Sequence, residues 1–257
     1  MDNAHKFILK FLDKDLHLDG RKLLDYRQPI KVETGISKTA EGSARVQIGN
    51  TIVMAGVKME VGTPYPDTPD EGGLVINAEF YPLSSDKFEA GPPRIDSIEL
   101  ARIVDRGIRE AKSIDVKKLC IKEGEKNWTV TVDVVSINAD GNLIDAAGLA
   151  ALAALKDARF PAYEDGKLDY KEKTNKKLPL VREPLPVTVF KIGNKLMVDP
   201  TPKEEEIAEA RLTVTTTEDG KLCSLQKGGN EALSLEDLEQ MFEIGIKKGA
   251  ELRKYLK

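Results

Sequence analysis

Cysteine and histidine are both scarce in this chain, which has two of each among 257 residues. Cys120 and Cys223 stand far apart, with neither a Cys-x-x-Cys spacing nor a histidine beside them, so no disulfide framework and no zinc site is indicated and a reducing compartment is expected. His5 and His17 both fall in the N-terminal arm, where they read as solvated helix residues, and no nucleophile, base and carboxylate triad can be assembled around them. Long apolar runs are missing too. The first 18 residues are broken by Asp2, Lys6, Lys10, Asp13, Lys14 and Asp15, and no later run reaches bilayer length, so neither a signal peptide nor a membrane segment is expected and the protein reads as cytoplasmic. Nor is there an excess of positive charge. With 39 Lys and Arg against 43 Asp and Glu the formal net charge is −4, which excludes a protein that grips nucleic acid by its overall field; polyanions must meet a local basic patch or a partner. Gly72-Gly73 and Gly228-Gly229 are isolated pairs without dinucleotide or Walker spacing, and read as turns.

What is present is a globular composition, 40% apolar and 32% charged, with a Lys- and Glu-rich surface of the kind that suits ion-pair networks at high temperature. The chain is organised around ADGNLIDAAGLAALAALKD, residues 139–157. Asp140-Gly141 signals a turn, and Asn142 with Asp145 resembles a capping pair for a helix beginning near Leu143. Leu149, Leu152 and Leu155 recur at three-residue intervals while alanines fill the other sides, so the helix should be central and covered all round. Gly148 costs roughly 1 kcal/mol of helix propensity relative to Ala, tolerable if another backbone approaches closely there.

Around this helix the chain combines runs of strands with a few helices. Phe7, Ile8, Phe11 and Leu12 make an amphipathic stripe leading to a turn at Asp19-Gly20-Arg21. Period-two segments follow between Ile30 and Val61 with a hairpin at Gly49-Asn50, then a loop over residues 62–73, a strand at 74–80, a loop over 82–93 and a helix over 95–112. Strands near 118–122 and 128–137 precede the central helix. Residues 160–183 read as an extended Lys-rich connection, after which hairpins turn at Gly193-Asn194 and Asp219-Gly220, and a helix capped by Ser234 and Asp237 closes the chain. Strands come in runs, so the class is α+β, divided into an arm over 1–28, a first half over 29–183 and a second over 184–257.

Two constellations stand out. Arg102, Arg106 and Arg109 share one face of the 95–112 helix, with Arg94 just before it, and planar guanidinium groups about a turn apart suit phosphate. Glu99 and Asp105 lie close enough to neutralise them as surface pairs. Glu204, Glu205, Glu206 and Glu209 read as a solvated acidic face, with metal binding the minor alternative.

Five segments carry a family resemblance: DGRKLLDYRQ (19–28), EGSARVQIGNTIVMAGV (41–57), FEAGPPRIDSIELARIVDRGIRE (88–110), VTVDVVSINADGNLIDAAGLAALAALKDARFP (130–161) and LMVDPTPKEEEIAEARLTV (196–214). Together they resemble the RNase PH-like family, and within it the non-catalytic ring subunits of the archaeal exosome. The resemblance implies an RNase PH-like fold of two ferredoxin-like β/α halves (ribosomal protein S5 domain 2-like). It also implies a heterohexameric ring with a catalytic RNase PH-like partner subunit, RNA-binding cap subunits, and RNA shortened from its 3′ end by phosphorolysis. No cofactor and no metal is expected. Active relatives carry Asp-Gly-Gly-Ser/Thr-Arg at the turn, where hydroxyl and guanidinium hold the attacking phosphate; here the turn is Asp140-Gly141-Asn142-Leu143-Ile144. They also carry Glu-Ala-Asp after the acidic run, where this chain has Glu209-Ala210-Arg211, so a proton-transfer carboxylate is replaced by a permanently charged guanidinium. The resemblance thus implies a subunit without catalytic residues, contributing Arg102 and Arg106, and less securely Arg109 and Arg94, to RNA-backbone binding. The alternatives are an RNase PH-type phosphorolytic exoribonuclease active in its own right, and a plain scaffold.

Overall fold

The alternating Trp128, Val130, Val132 and Val134 drive the strand β6 (Lys126–Asn138), and all four are buried. β3 (Thr51–Gly62) pairs with it antiparallel and β4 (Gly73–Phe80) pairs parallel on its other side. β2 (Gly42–Ile48) and β1 (Ile30–Thr34) continue outward, giving the order β1-β2-β3-β6-β4, with β5 (Cys120–Lys122) folded against the start of β6. The second sheet is antiparallel. It is built from β9 (Leu185–Ile192), β10 (Lys195–Val198), β11 (Ala210–Thr216) and β12 (Leu222–Gly229) in the order β10-β9-β11-β12. The computed structural model describes residues 3–164 and 166–256, leaving the side chains of 3–5, 171 and 172 undescribed.

Between the two sheets runs α3 (Leu143–Asp157), touching β2 and β3 on one side and β9 on the other. Every residue from Asp145 to Leu155 is buried, as the apolar pattern requires. Each of Leu149, Leu152 and Leu155 contributes on the order of 1.5–3 kcal/mol by leaving water. The approach at Gly148 comes from a side chain, not from backbone: a Cβ there would run into the ring of Pro186 at the head of β9. α2 (Ile95–Glu110) covers β4 and reaches the second sheet, while α5 (Leu235–Arg253) covers β9 and β11. The cap expected for α5 is present, since Ser234 Oγ accepts from Asp237 N at 3.1 Å and Asp237 Oδ2 accepts from Ser234 N at 2.9 Å. Among the described residues no helix is long and apolar enough to cross a membrane.

Three local expectations are overturned. Residues 160–183 are not an open connection: Arg159–Glu164 (β7) and Lys167–Lys177 (β8) form an antiparallel hairpin, and only 178–183 passes on to the second sheet. Asn142 and Asp145 do not form a capping pair, because Asn142 lies in the left-handed region at φ 48° and its side-chain amide, not its backbone, meets Asp145. His17 is not solvated. It is fully buried, with Nδ1 at 3.0 Å from Glu204 Oε2 and Nε2 at 3.2 Å from the Leu23 carbonyl. The His5 side chain lies outside the described residues.

Glu204 is accordingly no part of a solvated face. It sits in the short helix α4 (Pro202–Glu206), accepts from Thr201 N at 2.7 Å and from Leu18 N at 2.8 Å, and has no exposed surface. Burial works against its ionisation, but the hydrogen bond and charge of His17 and the two backbone donors outweigh burial and hold the carboxyl down at about 2. This pair fastens the chain before β1 to the second sheet. α1 (Asn3–Leu12) rests beside it, with Ile8 and Leu12 packed on Leu23, Phe190, Ile192 and Met197.

Candidate functional site

The turn before α3 is held from below by buried charge. Arg27, only 7% exposed, donates from Nε and Nη2 to the two carboxylate oxygens of Asp199 at 3.0 and 2.8 Å, and its backbone N–H donates to Asp199 Oδ2 at 2.6 Å. The same guanidinium donates to the carbonyls of Asp140 and Gly141, and Thr51 Oγ1 donates to Gly141 O at 2.7 Å. Gly141 is required here. Its φ is 86°, and a Cβ would collide with the Pro200 carbonyl. Beneath the turn, Asp145 accepts from Tyr26 Oη at 2.7 Å, Asn142 Nδ2 at 3.0 Å and Thr188 N at 2.7 Å. Complete burial outweighs those donors and raises the Asp145 carboxyl to about 7.

Above this turn opens a cleft of about 490 Å³ between the 80–88 segment, α2 and α4. Leu143 and Ile144, the first two residues of α3, form its inner wall, so a ligand reaching the helix start meets methyl groups and no side-chain donor. Arg211, at the start of β11, also faces the cleft and donates to Glu99 Oε2 at 2.6 Å. Glu205 and Glu206 enter from α4, where Glu206 pairs with Lys87. Desolvation raises the Glu205 carboxyl, an effect that the Asn142 N–H and the distant Arg211 and Arg27 charges only partly offset.

A second cleft, of about 560 Å³, runs along the outer face of α2 against β4. Arg102, Arg106 and Arg109 all line it, as their spacing requires, whereas Arg94 stands apart at the helix N-cap and pairs with Glu89. The anticipated neutralisation is uneven. Asp105 takes Arg109 in a two-point pair at 2.7 and 3.1 Å, Arg106 reaches Glu110 at 3.1 Å, and Glu99 is committed to Arg211. Arg102 is exposed and has no ion pair among the described residues. The exposed pairs on Arg106 and Arg109 are each worth at most about 1 kcal/mol, so a phosphate can compete for them.

The model of the 3′ exoribonuclease family, domain 1, matches residues 27–161, and that of domain 2 matches residues 183–248. The chain belongs to this 3′ exoribonuclease, or RNase PH, family. Its relatives include the exosome complex component Rrp42 of Methanosarcina mazei, 45% identical over 249 residues, covering 96% of this chain and 91% of that one. The Rrp42 of Methanothermobacter thermautotrophicus is 44% identical over 255 residues, covering 98% of this chain and 94% of that one. A chain of the Archaeoglobus fulgidus exosome with RNA bound to the active site superposes with a TM-score of 0.91 at 42% identity, over 99% of this chain and 98% of the other. The α+β class and the two-domain RNase PH-like fold read from the sequence are those of the family.

Sequence reasoning passed over several residues of the site. Arg27 and Asp199 were inside segments that carry the family resemblance, in DYRQ and LMVDP, but a contact across 172 positions leaves no periodic trace. Phe80 ends a strand and Phe88 lies in the loop after it, so their stacking at 4.7 Å beside the first cleft leaves no pattern in the sequence.

Proposed function

We propose that this chain is a non-catalytic ring subunit of an archaeal exosome, which supports 3′ to 5′ phosphorolytic RNA degradation carried out by a catalytic RNase PH-like partner. The observation that carries this reading is the composition of the cleft at the α3 start. Phosphorolysis needs donors and positive charge around inorganic phosphate, and here Leu143 and Ile144 supply neither. Arg211 supplies charge but is spent on Glu99, and the surrounding carboxylates repel an anion. In this reading Arg102, Arg106 and, to a lesser degree, Arg109 hold RNA backbone and hand it to the neighbour's active site. Residues 1–28 act as an arm that locks the halves 29–183 and 184–257, cap subunits that bind RNA sit on the ring, and the assembly works in the cytoplasm.

The test is direct. Purified chain incubated alone with RNA and inorganic phosphate releases no nucleoside diphosphate, and adding the catalytic subunit restores release. Robust release by the chain alone overturns the assignment and makes it an exoribonuclease in its own right.

A further inference from the structure

The cleft at the α3 start lacks what an anion needs, and its chemistry points to a different ligand. Its floor is apolar, formed by Leu100, Leu143 and Ile144. Its rim carries Asp86, Asp96, Glu99, Glu205 and Glu206 against only Lys87 and Arg211. Both cations are already engaged, Lys87 by Glu206 and Arg211 by Glu99, so Asp86, Asp96 and Glu205 face the cleft without an ion pair among the described residues. At the mouth the rings of Phe80 and Phe88 stack at 4.7 Å with an interplanar angle of 26°, presenting aromatic surface to the same space.

Aromatic faces and carboxylates share one preference. The negative ring face attracts a cation, and attraction to a carboxylate strengthens where water is partly excluded. An apolar floor adds affinity for a hydrocarbon stem. A volume of about 490 Å³ lies in the range of small-molecule sites. We propose that this cleft binds an organic cation, an ammonium or guanidinium group carried on an apolar stem. The stem lies on Leu143 and Ile144, and the charged head sits between Phe88, Asp96 and Glu205. Two sources offer this chemistry, a free polyamine and a basic side chain of a partner protein. The inference stands whether or not the chain is part of a ring, because it uses only residues of this cleft.

The full chain, labelled at Leu and Ile methyl groups, is titrated with spermidine and separately with N-acetyl-arginine amide, and followed by NMR. Saturable shifts centred on Leu100, Leu143 and Ile144 are expected, with N-acetyl-citrulline amide, which lacks the charge, binding at least about tenfold more weakly. Glu205→Gln and Phe88→Ala each weaken binding by about fivefold or more, and Asp96→Asn, at an exposed position, serves where either variant lowers the melting temperature. Tighter binding of spermidine assigns the site to free polyamines, and tighter binding of the arginine probe assigns it to a partner's side chain. The proposal is overturned by an absence of saturable shifts with both probes, by equal binding of the citrulline analogue, by unchanged affinity in the variants, or by inorganic phosphate shifting the same methyls.

Discussion

Asp145 shows how far a single residue departs from what its letter in the sequence suggests. Read as the partner of Asn142 in a capping pair it would accept from the Asn142 backbone N–H, yet it lies under the turn with no exposed surface and three other donors around it. Its folded-state value of about 7 stands above the ordinary 3.8, so the neutral form favours the fold. The sign follows from linkage: that contribution is complete below pH 4, where both states are protonated, and drains away as pH rises through about 7. Its upper size is about 4 kcal/mol, at 1.36 kcal/mol per pH unit. Asp145→Asn should therefore flatten the dependence of unfolding free energy on pH between 4 and 7, measured by urea denaturation at a series of pH values. A wild-type slope in this window that survives the substitution would assign it elsewhere. The sequence offered one clue to this site, a polar residue in an otherwise apolar helix start, but the partners Tyr26 and Thr188 lie 119 and 43 positions away and belong to the tertiary fold.

At the scale of elements, periodicity carried most of the information. Where side chains alternate or repeat every three to four residues, as in β6, α2, α3 and α5, the expected and observed elements coincide within a few positions, because burial of one face dictates both. The hairpin β7–β8 escaped because its second strand, KLDYKEKTNKK, has only Leu168 and Tyr170 as apolar residues and is polar beyond them, too short an alternation to read. The short helix α4 spans too few residues to show a period, so the sequence leaves a loop and a short helix equally open there, although Thr201 and Glu204 form a capping box that the letters spell out. That same Glu204 makes α4 an anchor for the N-terminal arm. Its carboxyl is held at about 2 against an ordinary 4.5, so its contribution is present above pH 4.5 and is lost as pH falls through about 2. Glu204→Gln replaces the carboxylate that bonds the buried His17 ring, Leu18 N and Thr201 N, leaving buried polar groups short of a partner at a cost on the order of 1–3 kcal/mol. The loss should show as a lower denaturation midpoint at neutral pH together with faster amide exchange at Leu18, whose N–H Glu204 accepts. Unaltered exchange there would mean that the arm is fixed by the packing of α1 alone.

For the whole molecule, electrostatics sets the strictest condition on RNA binding. A chain of net charge −4 repels a polyanion at long range, so affinity must be local and must depend on the few guanidinium groups that can approach phosphate. The face of α2 meets that condition unequally. Arg102 carries no counter-ion among the described residues, Arg106 shares one exposed pair with Glu110, and Arg109 is held by Asp105 and by the Leu74 carbonyl at 2.9 Å. Removing one guanidinium that sits on a phosphate lowers the slope of log affinity against log salt concentration by roughly 1, and this separates a binding face from a merely charged one. In the ring reconstituted with the catalytic subunit, Arg102→Ala with Arg106→Ala should weaken RNA binding and reduce that slope by roughly 1 to 2. Arg109→Ala alone should do less, because its guanidinium must first leave Asp105. Lys176 and Lys177, exposed on the β7–β8 hairpin, supply the comparison: if RNA is held by charge in general, removing them lowers the slope equally, and if it is held by α2, the slope stays where it was. An unchanged slope in the arginine variant would leave α2 with packing and ion pairs as its only work, and the chain as a scaffold.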